Sequence, residues 1–199
     1  MKVIGITGSS GSGKTTLTQI LNKKKEISVI DADKVVKEMS VPNTDYLNAI
    51  KETFGLEMFL EDGNLNRKLL GNRIYSEKES LEKLNKLTFK YVVEEILKRI
   101  ESTTQENKNI KYLIIDAPLL FESGLNRYCD YVIALIANRN LKIKRICKRD
   151  NIDEKTAQSR LNIQKEDSYY IKKADFVIEN NENCNLEKEI ESILSNWGR

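Results

Sequence analysis

Short apolar runs alternate with amphipathic stretches along most of the chain. Five of the runs are rich in Ile, Val or Leu and end at polar or glycine residues, a pattern typical of buried strands. These predicted strands are Lys2–Thr7, Ile27–Ile30, Tyr112–Ile115, Tyr131–Ile136 and Phe176–Ile178. Strands that alternate with helices predict right-handed crossovers and a parallel sheet covered on both faces.

Helical spacing of apolar residues separates the predicted strands. The helices predicted from it are Lys14–Asn22, Leu141–Arg149, Glu154–Gln164 and Leu186–Trp197. Residues 42–108 break the alternation, with little strand pattern and much helical pattern, so we predict a helical insertion between strands two and three. Near its end, Ser102–Asn109 is polar and predicts a loop. The fold class is α/β, with residues 1–199 forming one three-layer α/β/α domain around a five-stranded parallel sheet.

Composition excludes several kinds of chemistry. The chain has 199 residues and no histidine, which excludes Ser-His and Cys-His catalysis and any His-ligated metal. Three widely spaced cysteines indicate reduced thiols, and no run of 18 apolar residues suggests a membrane span. The net charge of +3 is small and acidic residues are interleaved with the basic ones, so we expect no nucleic-acid partner. Because no signal-peptide pattern precedes the first strand, we expect a cytoplasmic protein.

A phosphate-binding motif follows the first strand. Gly8-Ser9-Ser10-Gly11-Ser12-Gly13-Lys14-Thr15 matches G-x-x-x-x-G-K-[ST] at every fixed position, with a predicted helix after it. The glycines let successive backbone N–H groups converge on phosphates, and the helix N-terminus favours an anion. We expect Lys14 to reach the β- and γ-phosphates and the Thr15 hydroxyl to bind Mg²⁺. No Asn-Lys-x-Asp segment, which reads guanine in GTPases, is present.

Carboxylates stand at the ends of two predicted strands. Asp31 and Asp33 follow the second strand and Asp116 follows the third. In an open parallel sheet, chemistry gathers outside the carboxyl ends of the strands. A kinase needs a carboxylate to accept the proton of the attacking hydroxyl, and we favour Asp33 as this base. Asp31 then supports Mg²⁺ or caps a helix, and Asp116 either supports Mg²⁺ or is a turn residue before a proline.

Arginines lie on the helices predicted between strands four and five. Arg145, Arg149 and Arg160 suit a lid over about residues 149–166 that closes on the triphosphate, because a guanidinium binds phosphate oxygens in a bidentate manner. The alternative is an ordinary salt-bridged surface helix. Together with the phosphate loop, these features predict a P-loop kinase that uses ATP.

The motifs of the chain, in their order, resemble those of the dephospho-coenzyme A kinase family. The resemblance extends from end to end. It rests on Gly5–Thr15, on Asp31-Ala32-Asp33, on Phe54-Gly55, on Asp62-Gly63-Asn64-Leu65-Asn66-Arg67, on Pro118-Leu119-Leu120-Phe121-Glu122, on Arg149-Asp150, on Gln164 and on Ala174-Asp175-Phe176-Val177-Ile178-Glu179-Asn180. Where the family usually has Thr-His-Pro, this chain has Leu87-Thr88-Phe89-Lys90, and Asn181 replaces the glycine usual after Asn180.

The resemblance implies a function and a set of site residues. It implies a P-loop kinase core with an acceptor-binding insertion and a small lid. It also implies an enzyme that uses Mg²⁺ and transfers phosphate from ATP to the ribose 3′-hydroxyl of dephospho-coenzyme A. The implied catalytic residues are Asp33, Lys14 and Arg149. The implied ATP-binding residues are Gly8, Ser10, Gly11, Ser12, Gly13, Lys14, Thr15, Thr16, Arg149 and Asn180. The implied acceptor-binding residues are Asp31, Asp33, Arg67, Leu119 and Glu122.

Two other functions are compatible with the phosphate loop. One is a kinase for a nucleoside, a nucleotide or another small hydroxyl compound. The other is a binding or regulatory protein that holds ATP without turnover. For the kinase we expect small-molecule substrates, no membrane partner, and a monomer or weak homo-oligomer.

Overall fold

The protein is described from a computed structural model, which covers residues 1–195 and, for Tyr75, the backbone only. The strands are β1 Lys2–Thr7, β2 Ile27–Asp31, β3 Tyr112–Asp116, β4 Tyr131–Ile136 and β5 Phe176–Glu179. The helices are α1 Lys14–Leu21, α2 Ala32–Met39, α3 Asp45–Phe54, α4 Arg67–Ser76, α5 Lys78–Glu106, α6 Arg139–Asp150, α7 Glu154–Asn162, α8 Asp167–Ile171 and α9 Leu186–Ser195. The predicted end of the last helix, Trp197, lies outside the described residues.

The five predicted strands form one sheet in the order β2-β3-β1-β4-β5. β1 pairs in parallel with β3 on one side and with β4 on the other, and β4 pairs in parallel with β5. The strand β1 is therefore central, and the loop that follows it leaves the middle of the sheet. This is where ligands bind in open parallel sheets.

The chain divides into two compact units, one formed by Met1–Val29 with the chain from Glu106 onward and the other by Ile30–Gln105. In the first unit, α1 and α9 pack their apolar residues against the strands. Leu17 and Leu21 of α1 and Ile190 and Leu194 of α9 belong to one buried cluster with residues of β1, β3, β4 and β5. Full burial of each such side chain stabilises the fold by about 1.5–3 kcal/mol.

The second unit has a separate core. Tyr46, Leu47, Ile50 and Phe54 of α3 are buried together with Met58 and Leu70. Their spacing of three and four residues places them on one face of α3, which begins after the N-cap Thr44. The prediction of a largely helical insertion over residues 42–108 agrees with the helices α3, α4 and α5.

Two local predictions were wrong. The segment Ser102–Asn109 was predicted as a loop, but α5 continues to Glu106. The hydroxyl groups there are satisfied within the helix, with Thr103 Oγ1 donating to Arg99 O and Thr104 Oγ1 to Ile100 O, so a polar composition did not indicate a loop. The helix α8 was not predicted, because five residues are too few to show a helical period.

The cysteines are free thiols, as their wide spacing predicted. Cys129, Cys147 and Cys184 all lie within the described residues, and none of them forms a disulfide bond. Burial is the main cause that raises the pKa of the Cys129 thiol to about 12. No helix in the described part of the chain is both long and apolar enough to span a membrane.

Candidate active site

The loop from Gly8 to Thr15 joins the carboxyl end of β1 to α1, as the motif predicts. Gly8, Gly11 and Gly13 have positive φ angles, which other residues rarely adopt. Gly13 is the N-cap of α1 and makes no side-chain cap, so the helix begins with backbone N–H groups that a phosphate can bind. Thr15 and Thr16 are exposed in the first turn of this helix.

Asn180 holds the second half of the loop. Its side chain is buried, and its Nδ2 donates a hydrogen bond of 2.8 Å to the carbonyl oxygen of Ser12. The approach is so close that a Cβ atom on Gly13 would overlap the Asn180 amide. Ser12 itself is fully buried, and its hydroxyl has no hydrogen-bond partner among the described residues. Ser12 and Asn180, two of the predicted ATP-binding residues, are therefore in contact at the phosphate loop.

Lys14 reaches back across the loop. Its ammonium donates hydrogen bonds to the carbonyl oxygens of Gly8 and Ser9, the latter at 3.3 Å. The side chain is half-buried and does not belong to the hydrophobic core. A ligand phosphate can take over these hydrogen bonds, since phosphate oxygens are stronger acceptors for an ammonium than neutral carbonyls are.

Two residues that support the loop have roles that the sequence did not reveal. Gln164 Oε1 accepts the Ser10 N–H at 2.8 Å, and Gln164 Nε2 donates to Ser10 Oγ at 3.0 Å. Arg145 donates to the carbonyl oxygens of Gly11 and Asn180. Arg145 was considered as a lid arginine, but in this structure it links the loop to the end of β5. The sequence indicates Gln164 only as a motif residue of the resemblance. It does not predict the contacts of Gln164 or of Arg145 with the loop.

A buried ion pair lies under the first half of the loop. Lys142 on α6 donates to both carboxylate oxygens of Asp167, at 2.8 and 2.9 Å, and to Ser9 Oγ at 3.2 Å. Neither Lys142 nor Asp167 was among the candidate residues. No pattern in the sequence connects two charges that are 25 residues apart.

Asp116 is the last residue of β3 and pairs in register with Ile6 of β1, two residues before Gly8. The following segment is tied to β1, because the Ala117 N–H donates to Ile6 O and Thr7 Oγ1 donates to Pro118 O. Asp116 thus lies at the carboxyl end of its strand, next to the point where the phosphate loop leaves β1.

The predicted acceptor residues Leu119 and Glu122 follow Asp116 within six residues of the chain. Leu119 is 48% exposed, although its neighbour Leu120 is fully buried. Glu122 is half-buried, and its Oε2 atom is buried without a hydrogen-bond partner in the described part of the chain. Burial, and then the charge of Glu122, raise the pKa of Tyr170 to about 12. An unpartnered carboxylate oxygen is suited to accept a hydrogen bond from a ligand.

The predicted lid, residues 149–166, contains the last two residues of α6 and all of α7, and these two helices pack together. Ile143 and Ile146 of α6 form a small buried cluster with Ala157 and Leu161 of α7. At the C-terminal end of α6, Arg149 donates to both oxygens of Asp150, at 2.7 and 2.9 Å.

Arg160 of α7 also pairs with Asp150, so one carboxylate holds two guanidinium groups. The hydrogen bond with Asp150 raises the pKa of Arg149, and the hydrogen bond with Arg149 lowers the pKa of Asp150. Because the Arg149 side chain is 56% exposed, its partner can be exchanged for a phosphate at low cost.

Asp31 and Asp33 lie at the junction of β2 and α2. Asp31 is the N-cap of α2, and its Oδ1 accepts the Lys34 N–H at 3.0 Å. Of the two expectations for Asp31, capping is the one confirmed. Asp33 is exposed in the first turn of the same helix, where the helix dipole stabilises a carboxylate.

The residues around the missing histidine lie on α5. Thr88 shares a hydrogen bond of 2.9 Å with the hydroxyl of buried Tyr46, and Tyr91 packs edge-on against the Tyr46 ring. Lys90 is exposed, with its ammonium 5.3 Å from the centre of the Tyr91 ring. Arg67, at the start of α4, is also exposed, and its charge acts to lower the pKa of Tyr46, although burial raises it overall.

An open pocket of about 670 Å³ adjoins the end of β5. It is lined by the start of α6, the segment after Asn180 and the start of α9. Asparagine side chains are prominent in this lining: Asn138, Asn140, Asn181, Asn183 and Asn185. Amide side chains offer both donors and acceptors, which is the combination that a nucleobase requires.

The oxygen donors of the site suit Mg²⁺. Thr15 offers a hydroxyl, and Asp116 offers a carboxylate at the sheet edge. No group of three or more His, Cys, Asp or Glu side chains in residues 1–195 forms a metal site by itself.

Comparison with known proteins gives a consistent result. The sequence model of the dephospho-CoA kinase family matches residues 2–185. A dephospho-CoA kinase of Fusobacterium nucleatum is 37% identical over 190 residues, which cover 95% of each chain. The structure of a dephospho-CoA kinase from Campylobacter jejuni matches with a TM-score of 0.68 at 28% identity, over 97% of this chain and 95% of that one.

The fold is also shared with more distant proteins. A crystal structure from Thermus thermophilus matches with a TM-score of 0.79 at 24% identity and covers 98% of this chain and 97% of its own. The predicted P-loop kinase fold and the resemblance drawn from the motifs are both confirmed. The chain belongs to the dephospho-CoA kinase family.

Proposed function

We propose that this protein transfers the γ-phosphoryl group of ATP to the ribose 3′-hydroxyl of dephospho-coenzyme A, which gives ADP and coenzyme A. The observation that supports this most directly is the match to the family over nearly the whole chain, together with an intact phosphate loop. The roles of individual residues are part of the proposal, and each has its own physical argument.

ATP is held by the first unit. The N–H groups between Gly8 and Thr16 bind the β- and γ-phosphates, and Lys14 exchanges its carbonyl partners for phosphate oxygens. The hydrogen bond from the Asn180 amide to the Ser12 carbonyl oxygen keeps the loop in this shape. The pocket rich in asparagine takes the nucleoside, since it adjoins Asn180 and has the donors and acceptors that a base needs.

Four residues with exposed or unpartnered groups are proposed to hold the acceptor. Leu119 gives apolar cover, and the unpartnered oxygen of Glu122 accepts a hydrogen bond from the acceptor. Arg67 and Lys90 are exposed cations in the second unit that suit the pyrophosphate of dephospho-coenzyme A. Of Lys90 and Tyr91, only Lys90 is free of the apolar core, so it is the better replacement for the histidine usual in the family.

Asp33 is the proposed base. It accepts the proton of the 3′-hydroxyl as the oxygen forms its bond to the γ-phosphorus. The bond between the γ-phosphorus and the bridging oxygen breaks, and its electron pair leaves with ADP. Lys14 and Arg149 stabilise the negative charge that spreads over the transferred group. Arg149 would leave Asp150 to do this, while Arg160 keeps that carboxylate paired.

Mg²⁺ would neutralise charge on the phosphates and orient them. The Thr15 hydroxyl is its proposed direct ligand, and a carboxylate supports it through water. We favour Asp116 over Asp31 for this support, because Asp31 already caps α2 and Asp116 ends the strand next to β1.

This assignment of the metal-supporting carboxylate can be tested by substitution. We expect Asp116→Asn to raise the Mg²⁺ concentration needed for half-maximal activity by about tenfold, the effect of losing one charge-assisted interaction of about 1.4 kcal/mol. Asp31→Asn is the matched control, since asparagine caps a helix as well as aspartate does. A Mg²⁺ titration of both variants measures the effect. The reverse order of effects would assign the role to Asp31.

The proposed role of Lys90 predicts a modest effect. Lys90→Ala should raise the KM for dephospho-coenzyme A about threefold to tenfold with kcat nearly unchanged, because the residue would position the acceptor without touching the proton. Lys86→Ala, which removes another exposed lysine of α5, is the control. An unchanged KM in the Lys90 variant would leave the histidine without a replacement at this position.

A kinase can be distinguished from an ATP-holding protein by ADP release. We expect ADP production to depend on dephospho-coenzyme A and to be very slow without an acceptor. Tight ATP binding with no acceptor-dependent ADP would favour a binding or regulatory protein instead. The monomer or weak homo-oligomer, the absence of a nucleic-acid partner and the cytoplasmic location expected from the sequence stay predictions.

A further inference from the structure

Lys142 is an unusual residue for its position. It lies near the start of α6, yet it is only 7% exposed, and its ammonium donates hydrogen bonds to Ser9 and Asp167. Lysine is almost never buried to this degree without a partner, because the charge loses its hydration. Here the partner is Asp167 of α8, whose two carboxylate oxygens both accept from Lys142.

The ion pair meets the phosphate loop at Ser9. Lys142 Nζ lies 3.2 Å from Ser9 Oγ, and Ser9 Oγ lies 3.5 Å from Asp167 Oδ1. Ser9 is 3% exposed, so its hydroxyl has little access to water. The Ser9 hydroxyl therefore has the ion pair as its hydrogen-bond partner. Ser9 occupies a variable position of the phosphate-loop motif, and it is the residue through which the two charged side chains contact the loop.

The backbone of the same lysine supports the loop at a second point. Gly11 has φ +77°, and a Cβ atom on it would lie 2.6 Å from the carbonyl oxygen of Lys142. The loop thus rests on Lys142 at Gly11 and is hydrogen-bonded to it at Ser9. Between them, Ser10 is held at its N–H and its hydroxyl by Gln164, which lies three residues before Asp167.

We propose that the Lys142–Asp167 ion pair is a positioning device that keeps the Ser9 side of the phosphate loop in the shape that binds the triphosphate of ATP. The inference rests on the proposed function, in which this loop binds ATP. The pair joins α6 and α8 beneath the loop and fixes their separation through short charged contacts. Donors that are ordered before the ligand arrives bind it with a smaller entropy cost, so the device acts on ATP affinity.

If the ion pair were purely structural, the melting temperature and the ATP affinity of the variants would change together. The proposal predicts that they change separately. Asp167→Asn leaves a buried ammonium with only neutral partners, so it should lower the melting temperature most. The double variant Lys142→Met/Asp167→Asn removes both charges and should recover most of that loss. The double variant should nevertheless bind ATP weakly, because Ser9 no longer accepts the hydrogen bond of the Lys142 ammonium.

Ser9→Ala tests the link itself. It keeps both charges paired and removes only the hydroxyl that connects them to the loop. We expect the Kd for a non-hydrolysable ATP analogue to rise about tenfold in Ser9→Ala and in the double variant, as the loss of a charge-assisted hydrogen bond predicts. The KM for dephospho-coenzyme A should change less than this Kd, since Ser9 is not among the residues proposed to hold the acceptor.

The experiment is calorimetric titration of the ATP analogue, with melting temperatures and both KM values, on wild type and on the variants. Lys24→Met/Glu191→Gln is the control, since this ion pair joins the segment after α1 to α9 and includes no residue of the phosphate loop. The proposal is overturned if the double variant recovers ATP affinity along with stability, or if Ser9→Ala binds the analogue like wild type.

The same titration separates this inference from the proposed function. Wild type that binds no ATP analogue would overturn both. Wild type that binds the analogue but does not phosphorylate dephospho-coenzyme A would overturn the acceptor assignment alone, and the affinities of the variants would still decide the role of the ion pair.

Discussion

In the Asp33→Asn variant we expect kcat to fall by roughly 10²–10⁴, the usual contribution of a general base. The substitution keeps the size and hydrogen-bonding capacity of the side chain but removes the group that accepts the proton of the acceptor hydroxyl. Because Asp33 is exposed in the first turn of α2, its loss should change the free energy of unfolding by only about 0.3–1 kcal/mol. Steady-state kinetics and a thermal melt measure the two effects.

The neighbouring aspartate provides a matched control for this variant. Asp31→Asn makes the same chemical change two residues away and retains the cap of α2, since asparagine accepts the Lys34 N–H equally well. ATP affinity should be nearly the same in both variants. If Asp31→Asn is the crippling change and Asp33→Asn is mild, the base is Asp31 and our assignment is wrong.

The second large effect concerns the phosphate loop. We expect Lys14→Ala to lower kcat/KM by about 10²-fold or more, because the ammonium stabilises charge that develops on the transferred group. The fold should be retained, since the Lys14 side chain is half-buried and does not belong to the hydrophobic core. Single-turnover rates with saturating ATP measure the chemical step separately from binding.

Lys23→Ala is the control for this variant. Lys23 is an exposed lysine just after α1, so its removal changes the net charge by the same amount without touching the loop. A folded Lys14→Ala protein with near-normal turnover would contradict the assignment of the loop as the phosphate site. Loss of activity in both variants would indicate a general electrostatic effect instead.

Features that depend on neighbouring residues in the sequence could be predicted. The phosphate loop is such a feature, because its glycines and Lys14 act through backbone geometry within eight residues. The strands could be predicted for a similar reason, since a buried parallel strand is a nearly continuous apolar run. Asp116 could be placed at the end of β3 from the same run, although its register with Ile6 could not.

Features that depend on distant residues could not be predicted. Lys142 and Asp167 look like ordinary surface charges in the sequence, and only the packing of α6 and α8 makes them a buried pair. The contacts of Gln164 with Ser10 join residues 154 positions apart. Arg149 was assigned to ATP by resemblance, but its pairing with Asp150 depends on side-chain rotamers that no sequence pattern determines.

The central claim is that dephospho-coenzyme A is the acceptor. The most direct test is to compare kcat/KM for dephospho-coenzyme A, adenosine, AMP and pantothenate with ATP and Mg²⁺, and to locate the new phosphate in the product by mass spectrometry and ³¹P NMR. We predict that dephospho-coenzyme A is the preferred acceptor and that the phosphate appears on its ribose 3′-oxygen. Faster turnover of one of the other acceptors, with dephospho-coenzyme A inert, would contradict the account.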